Sequence, residues 1–179
     1  MKSKTSIAVA TALAGACVGF VAADARAGGE LVLFPESYAS GVLYTTVDRA
    51  DNKQYRELYA SSAAAIEAAK KGEPLPSGTV LTLVQYAAKL DAQGNPEKDA
   101  NGRFIKDKLI GYTVMEKRTG WGAEYPQDLR NGEWEYGRFR PDGTLGANVN
   151  YNACFQCHKP KADQDFVFTY PQLVKAAQR

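Results

Sequence analysis

One β-rich domain of the α+β class is what this chain predicts. Three observations predict it. Short runs of β-branched and aromatic residues are bounded by turn residues, a single Ala-rich segment has helical character, and no internal repeat or linker follows residue 27. The composition is that of an ordinary globular protein: 45% hydrophobic and 23% charged over 179 residues, enough for one domain with a real core.

Residues 1–27 stand apart. Lys2 and Lys4 form a positive start, residues 7–23 are apolar and small, and Ala25-Arg26-Ala27 is an A-x-A cleavage signal. The pattern predicts a secretory signal peptide, with the mature domain at 28–179. A membrane anchor would need a longer apolar span. A lipoprotein signal at Cys17 would need Leu13 one place closer. The expected destination is a bacterial periplasm, with no stable membrane insertion after cleavage.

The elements follow in order. Residues 42–47 (VLYTTV) and 55–59 (YRELY) carry strand formers. Ser61 and Ser62 then precede an Ala-rich stretch ending in Lys70 and Lys71, a capped helix with its cations at the negative end of the dipole. Gly72, Pro74 and Pro76 stop it. Residues 78–89 (GTVLTLVQYAAK) and 109–117 (LIGYTVMEK) predict the two longest strands, paired as a hairpin across a polar loop at 91–108. Asp91, Asn95, Asp99 and Asn101 in that loop resemble calcium ligands in type, but not in the spacing of a calcium loop. Residues 133–140 (EWEYGRFR) predict a further strand, Pro141-Asp142-Gly143 a turn, and 170–178 a short helix.

Charge and rare residues bound the chemistry. Lys+Arg is 22 against Asp+Glu 20, a balance that gives no basic patch for nucleic acid. The chain has one His, three Cys and two Met, which excludes bis-histidine haem and histidine-rich metal centres. Against that scarcity, Cys154-Phe155-Gln156-Cys157-His158 reads C-x-x-C-H, the attachment motif of a c-type haem. Two thiols three positions apart can reach both vinyl groups on one porphyrin edge, and the adjacent His158 supplies the proximal iron ligand. A disulfide leaves the histidine unexplained. A zinc site needs about four ligands. A thioredoxin-like pair belongs in a βαβ unit, which the pattern lacks. The expectation is one covalently attached haem c per chain. The mature chain keeps only Met115 as a His/Met sixth ligand. It falls inside a strand, where a core methionine is expected, so a five-coordinate iron with an open distal face is the reading.

The residues Phe34-Pro35-Glu36-Ser37-Tyr38, Gly78-Thr79-Val80, Trp134-Glu135-Tyr136 and the run from Cys154 through Asp165-Phe166-Val167-Phe168-Thr169 resemble the cytochrome P-460 and cytochrome c′-β family. That resemblance implies a mainly antiparallel β fold, a single curved antiparallel sheet with a few short helices and the haem motif near the C-terminus, commonly as a homodimer. It implies two chemistries. The c′-β type binds nitric oxide or related small nitrogen ligands at an apolar distal face and exchanges electrons with a partner, here a periplasmic one. The P-460 type oxidises hydroxylamine, with a lysine joined to the porphyrin and a distal glutamate as base. Leu83 stands near the expected lysine position, and Lys89 lies about 20 Å further along the strand. Glu135 is the candidate distal base, with Arg138 and Phe139 as possible neighbours on its face.

Overall fold

The structure is a computed structural model that describes residues 31–178. The signal segment and Cys17 lie outside the described residues. Strands β1 (Val42–Arg49), β2 (Gln54–Ala60), β3 (Val80–Ala88), β4 (Lys106–Lys117) and β5 (Trp134–Phe139) form one sheet in the order β1-β2-β3-β4-β5. Every neighbouring pair is antiparallel, so the chain simply folds back on itself four times. The sheet stays open, and three short helices complete the α+β fold: α1 (Ala63–Lys70), α2 (Tyr151–His158) and α3 (Tyr170–Ala176).

All five sequence-predicted strands form, and residues 78–89 and 109–117 pair as the expected hairpin. β4 begins earlier than its apolar pattern implies, because the polar residues Lys106–Lys108 extend the ladder at its exposed end. The hairpin tip is built on two aspartates. Asp91 Oδ1 accepts from the N–H of Gln93 at 2.9 Å and of Asn95 at 2.8 Å; Asp99 Oδ1 accepts from Asn101 at 2.8 Å and Arg103 at 2.9 Å. These carboxylates therefore shape turns, in the manner of Asx motifs. Gly111 interrupts the regular ladder of β4. Its φ is 149°, and a Cβ there would lie 2.5 Å from the Phe139 carbonyl oxygen of β5. Only glycine allows β5 to approach so closely.

α1 begins where the serines predict, but Ser62 makes no side-chain cap bond. Ser61 Oγ instead accepts from the Val80 N–H at 3.0 Å, tying the helix entry to β3. α3 ends at Ala176, short of the predicted residue 178. α2 is a full eight-residue helix, where the sequence predicts no helix of its own.

Each face of the sheet buries a separate cluster. On the near face, Leu58, Leu81, Met115, Trp134 and Tyr136 pack against Ile66, Phe155 and Leu173 from the three helices. On the far face, Val84, Tyr112, Val114 and Phe139 pack with Val32, and Phe34 and Tyr38 close over them. Strand alternation assigns residues to these faces, since successive side chains point to opposite sides. The cross-strand row Ala60–Leu81–Met115–Tyr136 is near; its neighbours in sequence are far.

Candidate haem-binding site

The C-x-x-C-H motif lies on α2, so Cys154 and Cys157 sit one turn apart on a common face. Both thiols are free; Cys154 is half-buried and Cys157 exposed. Burial, reinforced by the neighbouring Cys157, pushes the Cys154 thiol above its ordinary value. α2 is held down from one side. Phe155 is fully buried between the rings of Tyr125 and Tyr136, with centroids 5.4 and 4.8 Å away. Asn131, also fully buried, donates from Nδ2 to the Phe155 carbonyl and to the Tyr136 hydroxyl, each at 2.9 Å. Lys159 Nζ adds bonds to the carbonyls of Gln127 at 2.7 Å and Arg130 at 2.6 Å. The loop before β5 thus fixes the motif on the near face.

His158 closes α2, and its ring is set by three neighbours. Tyr136 and Phe168 flank it at centroid distances of 5.0 and 4.9 Å. Nδ1 lies 2.7 Å from the Phe166 carbonyl oxygen. A carbonyl only accepts, so Nδ1 carries the proton and Nε2 presents its lone pair. Burial holds the imidazole below its ordinary pKa, partly opposed by the Phe166 bond, which keeps it in the neutral ligand form. The carbonyl is placed by an unusual backbone. Asp165 and Phe166 both adopt left-handed φ, 50° and 61°. Asp165 is anchored there by Lys117 Nζ, 2.9 Å from both carboxylate oxygens, and by the Leu75 N–H at 2.8 Å.

Facing His158 is a cavity of about 370 Å³ between the near face and the 167–169 segment. Its walls are mostly apolar: Leu58, Leu81, Leu83, Met115, Val167 and Phe168 contribute. Tyr44 spans it, its hydroxyl 2.8 Å from Thr169 Oγ1. A second, more polar cavity of about 930 Å³ opens beside Cys154, lined by Tyr136, Arg138, Gln85 and Asn150 among others. Two free thiols one turn apart, an imidazole with Nε2 free and an adjoining apolar cavity fit a covalently held haem.

The structure separates the other sequence candidates. Cys154, Cys157 and His158 come together. Glu135 does not join them. It neighbours Tyr136 on β5 and pairs across the ladder with Glu116, so it points to the far face, fully buried there. This one-residue alternation places Glu135 on the face opposite the motif helix, away from the distal position expected of it. Arg138 and Phe139 both border the second cavity, and the Phe139 ring also packs in the far cluster, 5.4 Å from Phe34. Leu83 lines the apolar cavity, and Lys89 lies outside it, ion-paired with Glu97 at 2.7 Å. Met115 is buried in the near-face core as expected, and its side chain also borders the apolar cavity. Among the described residues, neither cavity is lined by a lysine or a carboxylate.

Sequence reading missed Arg56 and Thr113, which border both cavities. The alternation of Arg56 and Leu58 against Tyr55, Glu57 and Tyr59 was visible, but nothing in it says which face receives the motif helix.

The Cytochrome P460 family model matches residues 35–169, which span β1 to β5 and α1 and α2 and end just before α3. No curated protein matches the chain.

Proposed function

The chain belongs to the cytochrome P460 family, and from that premise we propose an exported cytochrome that binds nitric oxide or a related small nitrogen ligand and exchanges electrons with a periplasmic partner. Family membership makes it a haem cytochrome. The finer reading adds one haem c per chain, held by thioethers from Cys154 and Cys157, with His158 as proximal ligand and the sixth position open. Bound haem would supply a redox-active iron able to take up a small ligand.

The observation that carries this reading is the pinned His158 beside a mostly apolar cavity. The Phe166 carbonyl holds the Nδ1 proton and leaves the Nε2 lone pair free for the iron that a bound haem would bring. Leu58, Leu81 and Leu83 exclude water from the opposite wall. The hydroxylamine-oxidising alternative needs a proton acceptor in the cavity. Glu135 is turned to the far face and no carboxylate lines either cavity among the described residues, so that alternative lacks its base. Export follows from the signal pattern at 1–27, and a homodimer from the family resemblance.

The test is spectroscopic. Holoprotein matured in a periplasm should keep its haem through acid-acetone extraction and give a c-type pyridine haemochrome; Cys154→Ser with Cys157→Ser should not. Resting ferric protein should show high-spin resonance Raman markers that Met115→Leu leaves unchanged, and the ferrous protein should bind nitric oxide. Extractable haem, or a low-spin spectrum abolished by Met115→Leu, would overturn the reading.

A further inference from the structure

The two cavities beside His158 share four lining residues: Cys157 and His158 from the motif, Arg56 and Thr113 from the sheet. A guanidinium on β2 and a hydroxyl on β4 therefore stand where the cavities meet, on the wall that the sheet presents to the motif. The register supports a common surface. Thr113 pairs with Leu83, Leu83 with Leu58, and Arg56 lies two residues from Leu58 on the same side of β2.

Arg56 is half-buried and fixed. Its Nε and Nη2 donate to Gln54 Oε1 at 2.9 and 2.7 Å. A guanidinium has five N–H donors, so this fork leaves others for the cavity. Its hydrogen-bond partner is a neutral amide. The neighbouring Arg49 is engaged bidentately by Asp51, at 2.8 and 2.6 Å. Burial, and then repulsion from Arg49, push the Arg56 guanidinium below its ordinary value. A partly desolvated cation that faces a cavity without carboxylates favours an anion, and its planar fork suits oxygen acceptors.

We propose that Arg56, assisted by Thr113, is a ligand-selecting hydrogen-bond donor of the haem site and favours a small nitrogen oxyanion of the nitrite class. The proposal rests on the haem reading above and narrows its ligand class. Arg56 donates to ligand oxygens and carries the balancing charge; Thr113 donates a second, weaker bond. Neutral ligands without an oxygen acceptor gain nothing from either group.

The experiment titrates ferric holoprotein with sodium nitrite, following the Soret band, after a pyridine haemochrome has established covalent haem. Arg56→Leu should weaken nitrite binding about tenfold or more, as loss of a charge-assisted bond implies. Thr113→Val should weaken it a few-fold, in line with a neutral bond worth about 1 kcal/mol. In the ferrous carbon monoxide complex, Arg56→Leu should raise the C–O stretching frequency, because a nearby cation favours back-donation to the ligand. Arg56→Met, neutral, unbranched and without an N–H donor, carries the same expectations if Arg56→Leu does not fold. A haem-loaded variant with unchanged nitrite affinity and C–O frequency would overturn the proposal. Absence of covalent haem in the unsubstituted protein would sink the haem reading, and this proposal with it.

Discussion

At the scale of single residues, the proximal side of the site is a relay of fixed groups. Lys117 on β4 holds Asp165, Asp165 holds a left-handed backbone, and that backbone holds the carbonyl that pins His158. Lys117 and Asp165 are nearly buried, with side-chain exposures of 9% and 11%. Removing one partner strands the other charge, a loss of about 3–5 kcal/mol. Lys117→Met should therefore lower unfolding stability by about that amount in urea denaturation. The double variant Lys117→Met with Asp165→Leu should lose less than the two single changes combined, since no orphaned charge remains. None of this relay was legible in the sequence. Asp tolerates left-handed φ but rarely requires it, Phe166 gives no sign of it, and Lys117 lies 48 positions away from its partner. His158 itself was legible because the motif is local: two cysteines and a histidine within five residues.

At the scale of elements, type was easier to read than facing. The strands show themselves through β-branched and aromatic residues, and the β3–β4 hairpin through its polar loop. Glu135 shows the limit. Trp134, Glu135 and Tyr136 are all buried in β5, so burial gives no contrast, and one step along the strand exchanges the site for the far cluster. α2 was hidden because its eight residues carry neither a strong cap nor an apolar stripe. The hairpin tip makes a pH prediction. Backbone donors, Asn95 first for Asp91 and Arg103 first for Asp99, hold both carboxyls below their ordinary values. A depressed folded value means that their contribution is complete above the unfolded value of about 3.9 and is lost as pH falls through the folded values. Amide hydrogen exchange at Asn95 and Arg103, corrected for its intrinsic pH dependence, should accelerate below about pH 4, ahead of the amides in β3 and β4. Uniform protection across that range would contradict the assignment.

At the scale of the whole molecule, the sheet supplies one wall of the candidate haem site and the C-terminal segment supplies the other. The cavity between them is bordered by β1 to β4 and by residues 157–169, so each wall supports the other through whatever fills the gap. Haem-free protein from the double cysteine variant should melt at least about 5 °C below the holoprotein, equivalent to one or two kcal/mol for a domain of this size. Equal melting temperatures by calorimetry would mean that the walls are held without the cofactor. The strict alternation between faces has a consequence for how such a sequence can change. Loops between strands can gain or lose residues freely, because they lie outside the two-residue rhythm. A single insertion within β5 would exchange the addresses of Tyr136 and Glu135, bringing a carboxylate beside the imidazole without altering any residue type. Reading frame within a strand is thus a heritable switch between a carboxylate-free pocket and one containing a base.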